Sequence, residues 1–237
     1  MGGTAQSNTS SSEKSPLKLN IRQSGGSRPV GVGKNLSVTN QTYHPMLNLN
    51  NPNSTKIFDH PQDVASKGIL NQQGSTCGLC ASGTVANICG NNFTENVMFA
   101  HAKAKGLCSN DGGTTPAGRS QLITSMTGVP TDVVHVKNLE DLVPYVESGK
   151  GVIIPVEASI YKSDWYGNYN PQEPKGHAIV LASVVRDAKT NEIIKYVVID
   201  SNGRTPSEAC QHVDPKVLQT AFRVRGGAAN VTKNIIY

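Results

Sequence analysis

The sequence lacks three features that would each indicate a particular class of protein. It contains no run of about 18 apolar residues, which a membrane-spanning helix requires, and residues 1–30 lack the apolar centre of a secretory signal peptide. Aromatic residues make up only 5% of the chain, and they are not interleaved with basic residues as in proteins that bind single-stranded nucleic acid. We therefore expect no membrane span, no conventional export signal and no nucleic acid partner.

Cysteine usage excludes a second set of classes. The chain has five cysteines, an odd number, and it is too long to be a small scaffold held by disulfides. This usage predicts a reducing working compartment. No closely spaced His and Cys residues form a recognised zinc pattern, and no glycine-rich loop has the pattern of a phosphate site, so we predict neither a metal nor another cofactor.

Charge divides the chain into two parts. Residues 1–60 are rich in Ser, Asn, Gly and Pro and carry six Lys or Arg against two acidic residues, while the whole chain has a net charge of +5. Spaced basic charges in a polar segment indicate a flexible N-terminal tail, with a delivery segment as one possible use. Residues 61–237 are then predicted to form one domain with a sizeable core.

Apolar periodicity in this domain changes from helical to strand-like along the chain. Helices are predicted at residues 77–89, 95–105, 116–126 and 139–147, with a late helix after Pro215. Strands are predicted at residues 151–156, 177–187 and 193–200, with an edge strand near 231–236. Helices segregated from a mostly antiparallel sheet make an α+β fold.

A thiol stands where a polar loop becomes the first of these helices. The segment Gln72-Gln73-Gly74-Ser75-Thr76-Cys77 leads into the apolar helical pattern. The start of a helix offers free N–H groups and a partial positive charge, which lower the pKa of a cysteine there. Those N–H groups can also bind an oxyanion, with a nearby glutamine amide as second donor. Cys77 is therefore the candidate nucleophile, and Gln72 or Gln73 the candidate donor.

A histidine and a carboxylate stand at the ends of two predicted strands. His177 begins one strand, and Asp200 and Asn202 follow the end of the next. A nucleophile, a base and a group that orients the base are the parts of a cysteine hydrolase, so His177 is the predicted base and either Asp200 or Asn202 its partner. Four aromatic residues ahead of the histidine form either a substrate lip or a cap on the core: Tyr161, Trp165, Tyr166 and Tyr169.

These motifs together resemble the papain-like cysteine peptidase superfamily over residues 65–237. Within it they are most similar to the bacteriocin-processing, double-glycine-leader peptidases and to related domains of bacterial polymorphic toxins and effectors. The resemblance is carried by Thr76-Cys77-Gly78-Leu79, Gly112-Gly113-Thr114-Thr115-Pro116, Gly176-His177-Ala178, Ile199-Asp200-Ser201 and Asn230-Val231-Thr232.

The resemblance implies a papain-like fold with a Cys-His-Asp triad of Cys77, His177 and Asp200. It also implies an oxyanion glutamine shortly before the nucleophile, for which Gln72 is favoured over Gln73. Papain itself has its nucleophile at the second cysteine of a similar run, which corresponds to Cys80. The bacteriocin-processing branch has a glycine directly after the nucleophile, as Gly78 follows Cys77 here, and this favours Cys77.

The predicted function is a cysteine protease that acts on a protein or peptide, in a bacterial toxin or effector. The resemblance and the tail composition predict release by a specialised bacterial system, action in the target-cell cytoplasm and a cognate immunity protein. Three alternatives stay open: a protein glutamine deamidase on the same scaffold, a dithiol redox protein that uses Cys77 and Cys80, and a binding module without catalysis.

Overall fold

The computed structural model describes residues 47–48, 51–56 and 61–237. A 3-10 turn at Leu139–Leu142 directly precedes helix α5. The α-helices are α1 (Pro61–Ser66), α2 (Cys77–Ile88), α3 (Glu95–Ala104), α4 (Pro116–Thr127), α5 (Val143–Glu147), α6 (Ala158–Tyr161), α7 (Ser163–Tyr166), α8 (Pro206–Ala209) and α9 (Pro215–Val224).

The strands of the described residues form a single antiparallel sheet. They are β1 (Leu47–Asn48), β2 (Asn51–Lys56), β3 (Thr131–His135), β4 (Lys150–Glu157), β5 (Gly176–Asp187), β6 (Ile193–Ile199), β7 (Cys210–Val213) and β8 (Ala228–Ile235). The order along the sheet is β1-β2-β5-β4-β8-β3, and β6 pairs with β5 and with β7. The combination of helices with one antiparallel sheet confirms the predicted α+β class.

Strand β5 divides the core into two layers, because its successive side chains point to opposite faces of the sheet. Ala178 and Val180 belong to the apolar cluster that also contains Ala81 and Val85 of α2. The intervening Ile179 joins a cluster on the other face, with residues of α5 and α9. The helix that begins at Cys77 is therefore packed on the sheet, as predicted.

Helix α2 is buried along almost its whole length, since residues 78–88 are all buried. Its outer side packs against α3 and α4 through Leu79 and Cys80. A β-carbon at Gly83 would overlap Ile69, so a larger residue there would force the neighbouring segment away. Burial on all sides fixes the position of the first turn, where Cys77 lies.

Two details of the sequence prediction are corrected. The segment near residues 231–236 is not an edge strand, because β8 lies between β4 and β3. The edge is formed by β3, whose short and half-polar sequence gave no strand signal. The predicted helix at 139–147 is divided into the 3-10 turn and α5, consistent with Pro144, which has no backbone N–H to donate within a helix.

The predicted tail falls mostly outside the described residues. Within residues 1–60, β2 pairs with the far end of β5, where Thr55 lies opposite Arg186. The division of the chain into a tail and a domain stays a prediction. No helix in the described ranges combines the length and the apolar character needed to cross a membrane.

Candidate active site

A cleft of about 450 Å³ lies where the start of α2 meets the start of β5. Gln72, Cys77 and His177 all line it. Its walls come from the loop before α4, the end of β4 and the segment between α7 and β5. A second cavity, of about 480 Å³, is lined by residues of the loops beside α1 and α3, and neither a cysteine nor a histidine is among them.

Cys77 is the first residue of α2 and is partly exposed in the cleft. The residue before it, Thr76, does not cap the helix with its side chain. Its hydroxyl donates instead to the Gln73 carbonyl oxygen at 2.8 Å and to the Glu95 carboxylate. The first N–H groups of a helix have no acceptor within the helix, so they are left for a ligand at this end.

His177 and Asp200 form a buried pair beside Cys77. His177 Nε2 lies 2.7 Å from Asp200 Oδ1, and the two residues are 6% and 0% exposed. Because Nε2 faces the carboxylate, Nδ1 is the ring nitrogen that is left for the Cys77 thiol. A thiol, an imidazole and a carboxylate therefore follow one another in a line.

The electrostatics of this line favour a charged thiol. Burial alone would raise the pKa of Cys77, but the hydrogen bond to His177 and the charge of that imidazole outweigh burial and lower the pKa from its ordinary value. Burial lowers the pKa of His177, and the Asp200 carboxylate overcomes this effect and raises the pKa to about 10. Both shifts favour a thiolate–imidazolium pair at neutral pH.

Asp200, and not Asn202, faces the imidazole. Asn202 is exposed, and its backbone N–H donates to Asp200 Oδ1 at 2.9 Å. This bond stabilises the charged carboxylate, and the pKa of Asp200 is lowered because His177 and Asn202 together outweigh its burial. The sequence left this choice open because both residues follow the same strand.

Of the two candidate glutamines, only Gln72 lines the cleft. Its Nε2 donates to the Gly74 carbonyl oxygen at 3.2 Å, and its Oε1 accepts from the Ser201 hydroxyl. Gln73 is exposed, and its Nε2 donates to the Asn71 carbonyl oxygen at 2.7 Å. The structure therefore brings Gln72, Cys77, His177 and Asp200 together.

The second thiol of the segment Cys77-Gly78-Leu79-Cys80 points away from the cleft. Cys80 is 0% exposed and packs in the cluster between α2, α3 and α4. Burial, with the nearby Glu95 carboxylate, raises the pKa of its thiol to about 12. A thiol that is buried and protonated is a poor nucleophile.

Three further cleft features carried little or no signal in the sequence. The Tyr166 hydroxyl lies 3.2 Å from His177 Nε2 and donates to Asp200 Oδ2 at 3.4 Å. Ser201 holds Gln72, and Arg119 lines the cleft opposite them. The sequence had singled out Tyr166 within the aromatic segment ahead of the histidine, but as part of a substrate lip or of a cap on the core. Arg119 had only a weak signal, a cation near the start of a helix, where anions are favoured.

The absence of a side chain at Gly78 allows the cleft wall to approach the start of α2, beside Cys77. A β-carbon at this position would overlap Thr114 Oγ1.

Among the described residues, no group of three His, Cys, Asp or Glu side chains comes together as a metal site would require.

No protein-family model matches the sequence, and no curated protein matches it significantly. Among solved structures, the cysteine protease CMS1MS2 of Carica candamarcensis, in complex with E-64, has a TM-score of 0.52 at 14% identity, over 77% of this chain and 99% of that chain. The fold is papain-like.

Two bacterial structures are also similar to this papain-like chain. A C39-like peptidase from Bacillus anthracis has 12% identity and a TM-score of 0.47, over 71% of this chain and 94% of its own. The peptidase domain of Streptococcus ComA, a bi-functional ABC transporter, has 16% identity and a TM-score of 0.45, over 70% and 98%. At 14% identity the likeness to the Carica candamarcensis protease shows the fold alone.

Proposed function

We propose that this protein is a cysteine hydrolase that cleaves amide bonds in a protein or peptide substrate. Cys77 is the nucleophile, His177 the general base and acid, and Asp200 the group that orients the imidazole. The observation that carries the proposal is the buried His177–Asp200 pair at 2.7 Å, next to a partly exposed thiol with a lowered pKa. The papain-like fold supports the same class of activity.

The reaction follows from these positions. His177 takes the proton of the Cys77 thiol, and the thiolate attacks the carbonyl carbon of the substrate amide. The imidazolium then gives its proton to the leaving amine, which departs and leaves an acyl-enzyme. A water molecule, activated by His177, hydrolyses the thioester and restores the thiol. Asp200 stabilises the imidazolium throughout, because its carboxylate stays charged.

The oxyanion is stabilised by two donors on one side of the cleft. The first is the Cys77 backbone N–H at the start of α2, and the second is the Gln72 side-chain amide. The Ser201 hydroxyl fixes Gln72 Oε1, so the direction of the amide nitrogen is set before substrate arrives. Donors that are fixed in advance are the most effective form of charge stabilisation in a transition state.

The test is alkylation and cleavage with matched variants. Brief treatment with substoichiometric iodoacetamide, followed by peptide mapping, should label Cys77 in the natural protein and much less in His177→Ala. The same proteins are incubated with a proteome-derived peptide library. Cys77→Ala should cleave nothing, and Cys80→Ala, whose thiol is buried, should cleave like the natural protein.

The same library separates the open alternatives. New peptide termini indicate a protease, whereas a mass gain at glutamine without new termini would replace the protease with a deamidase. Equal loss of function in Cys77→Ala and Cys80→Ala would instead support dithiol chemistry. A library that is unchanged, with no selective labelling of Cys77, would leave only a binding module.

The biological setting is proposed from the motif resemblance and from the composition of residues 1–60. We propose a bacterial toxin or effector that is released by a specialised system, acts in the target-cell cytoplasm and is neutralised by an immunity protein. Expression in the cytoplasm of a bacterial or eukaryotic host should slow growth, and Cys77→Ala should abolish this effect. Normal growth in both hosts with active enzyme would contradict the toxin role.

A further inference from the structure

Arg119 is a buried cation at the wall of the catalytic cleft. It lies in the first turns of α4, is 4% exposed and lines the same cleft as Cys77. Its Nε donates to Asn230 Oδ1 at 2.7 Å, and its Nη1 lies 3.4 Å from both the carbonyl and the hydroxyl oxygen of Thr114. The guanidinium is therefore held in place from two sides.

The remaining nitrogen of this guanidinium has no partner. Within the described residues Nη2 is buried without a hydrogen bond, and no carboxylate forms a salt bridge with Arg119. A buried charge with an unsatisfied N–H group destabilises the folded protein unless something else binds it. The nearest opposite charge is the Cys77 thiolate, yet Nη2 makes no hydrogen bond to it.

The rest of the cleft has the same sign of charge. Lys175 and Arg225 also line it, and no Asp or Glu residue does. Arg225 Nη1 lies 3.8 Å from the buried Glu157 Oε2, so that charge is partly balanced. Lys175 Nζ donates to the Tyr166 carbonyl oxygen at 2.5 Å. Arg119 is thus the fixed cation nearest the nucleophile without a counter-ion of its own.

A carboxylate fits this arrangement. Interactions between a guanidinium and a carboxylate are charge-assisted, and they are stronger in a site with little water. Two parts of a peptide carry this group: the side chain of Asp or Glu, and the free C-terminus.

We propose that the cleft selects substrates with a carboxylate beside the scissile amide, and that the positive charge of the Arg119 guanidinium attracts this carboxylate. The proposal rests on the proposed hydrolase function and names its substrate class. Arg119 is a specificity residue, and it takes no part in proton transfer. Substitution should therefore change which amides are cleaved. It should also make Cys77 somewhat less reactive towards all reagents, because the Arg119 charge contributes to the lowered pKa of Cys77.

The first experiment compares two alkylating reagents at Cys77. Iodoacetate and iodoacetamide have the same leaving group, but only iodoacetate carries a carboxylate. The ratio of their rate constants does not depend on the fraction of thiolate, which is common to both. Arg119→Gln should lower this ratio about tenfold, and Arg119→Lys should lower it less. The control is Arg223→Gln, an exposed arginine that does not line the cleft, and its ratio should stay at the natural value.

The second experiment distinguishes the two sources of the carboxylate. The peptide library is digested before and after amidation of C-termini, and the residues around each cleaved bond are read by mass spectrometry. Enrichment of Asp or Glu at one fixed position, lost in Arg119→Gln, supports a side-chain carboxylate. Cleavage confined to bonds near the C-terminus, and abolished by amidation, supports the terminal carboxylate.

The outcomes separate this proposal from the proposed function. Equal alkylation ratios in the natural protein and Arg119→Gln would overturn the carboxylate proposal while the hydrolase stands. Cleavage that depends neither on Asp or Glu near the cleaved bond nor on a free C-terminus would do the same. No cleavage and no selective labelling of Cys77 would overturn both. If Arg119→Gln does not fold, the proposal is tested on the natural protein, with glutarate as a soluble carboxylate. Glutarate should slow the labelling of Cys77 by iodoacetamide. Absence of this protection would overturn the proposal.

Discussion

The Ser201 hydroxyl donates to Gln72 Oε1, and the Gln72 backbone N–H donates to the Ser201 carbonyl oxygen at 3.0 Å. These two bonds join the loop before the nucleophile to the turn that follows Asp200. The proposed oxyanion donor and the proposed orienting carboxylate are therefore held by one short segment. This relationship gives Ser201 a positioning role that its sequence context did not indicate.

Ser201→Ala should lower kcat about tenfold with little change in KM, because the Gln72 amide loses the bond that fixes its direction. Gln72→Ala should cost about 100-fold or more, since the donor itself is removed. Steady-state kinetics on one cleaved peptide gives both values. Ser207→Ala, an exposed serine in α8, is the control and should match the natural protein. A rise in KM alone in Ser201→Ala would contradict this role.

Removal of the Tyr166 ring should weaken catalysis more than removal of its hydroxyl. The ring packs against His177 with their centroids 5.3 Å apart, so it keeps water from the His177–Asp200 bond. Tyr166→Phe keeps the ring and should lower kcat about threefold, whereas Tyr166→Ala should lower it about 30-fold or more. Tyr169→Ala, at a position that is 41% exposed, is the control. Equal losses in the Phe and Ala variants would place the effect in the hydroxyl.

Activity should show a broad plateau in pH. The thiolate of Cys77 is lost only as pH falls through its lowered pKa, so the acid limb lies below the ordinary cysteine value of 9.0. The imidazolium is lost as pH rises through the raised pKa of His177, about 10, which sets the alkaline limb. The pH dependence of kcat/KM and the pH dependence of the iodoacetamide labelling rate test both limbs.

Asp200→Asn tests the cause of this plateau. Loss of the carboxylate charge should lower the pKa of His177, and the weaker imidazolium should in turn raise the pKa of Cys77. The plateau then narrows from both sides. Asp132→Asn is the control, because Asp132 is an exposed carboxylate on β3, and its Oδ1 lies 3.3 Å from Lys233 Nζ. An unchanged profile in Asp200→Asn would show that other groups set the two limbs.

Asn230→Ala should destabilise the fold by about 2–4 kcal/mol. Asn230 is 0% exposed, and besides its bond to Arg119 it donates to the Pro116 carbonyl oxygen at 2.6 Å and to Ser120 Oγ at 2.8 Å. Its removal leaves buried polar groups without partners on α4. Urea denaturation measures the change, with the exposed Asn92→Ala as control. A loss below about 1 kcal/mol would mean that these groups find other partners.

Local patterns in the sequence were sufficient to predict most of the helices and strands. Helix α3 begins after Thr94, whose side chain accepts from the Val97 N–H, as its cap pattern predicted. Helix α4 likewise begins with a threonine cap and a proline. Such caps and turns depend on residues within four positions of one another, so the sequence itself carries them.

Contacts between distant segments had no such signal. Residue patterns alone did not choose between Asp200 and Asn202, or between Gln72 and Gln73, because neighbours along the chain share the same local pattern, and only the family resemblance favoured Asp200 and Gln72. In the structure Asp200 faces His177, and Gln72 lines the cleft. Strand β3 and the interior position of β8 were also missed, since the pairing of strands depends on the whole sheet.

The sequence by itself determined that a thiol starts a helix, that a histidine starts a buried strand, and that a carboxylate ends the next strand. These are local properties of periodicity and capping. Only the tertiary structure decided that Tyr166 and Arg119 line the same cleft and that Ser201 holds Gln72 there. Arg119 reaches Asn230 across 111 positions of the chain, and a contact of that separation arises from the packing of α4 on the sheet, which no local pattern encodes.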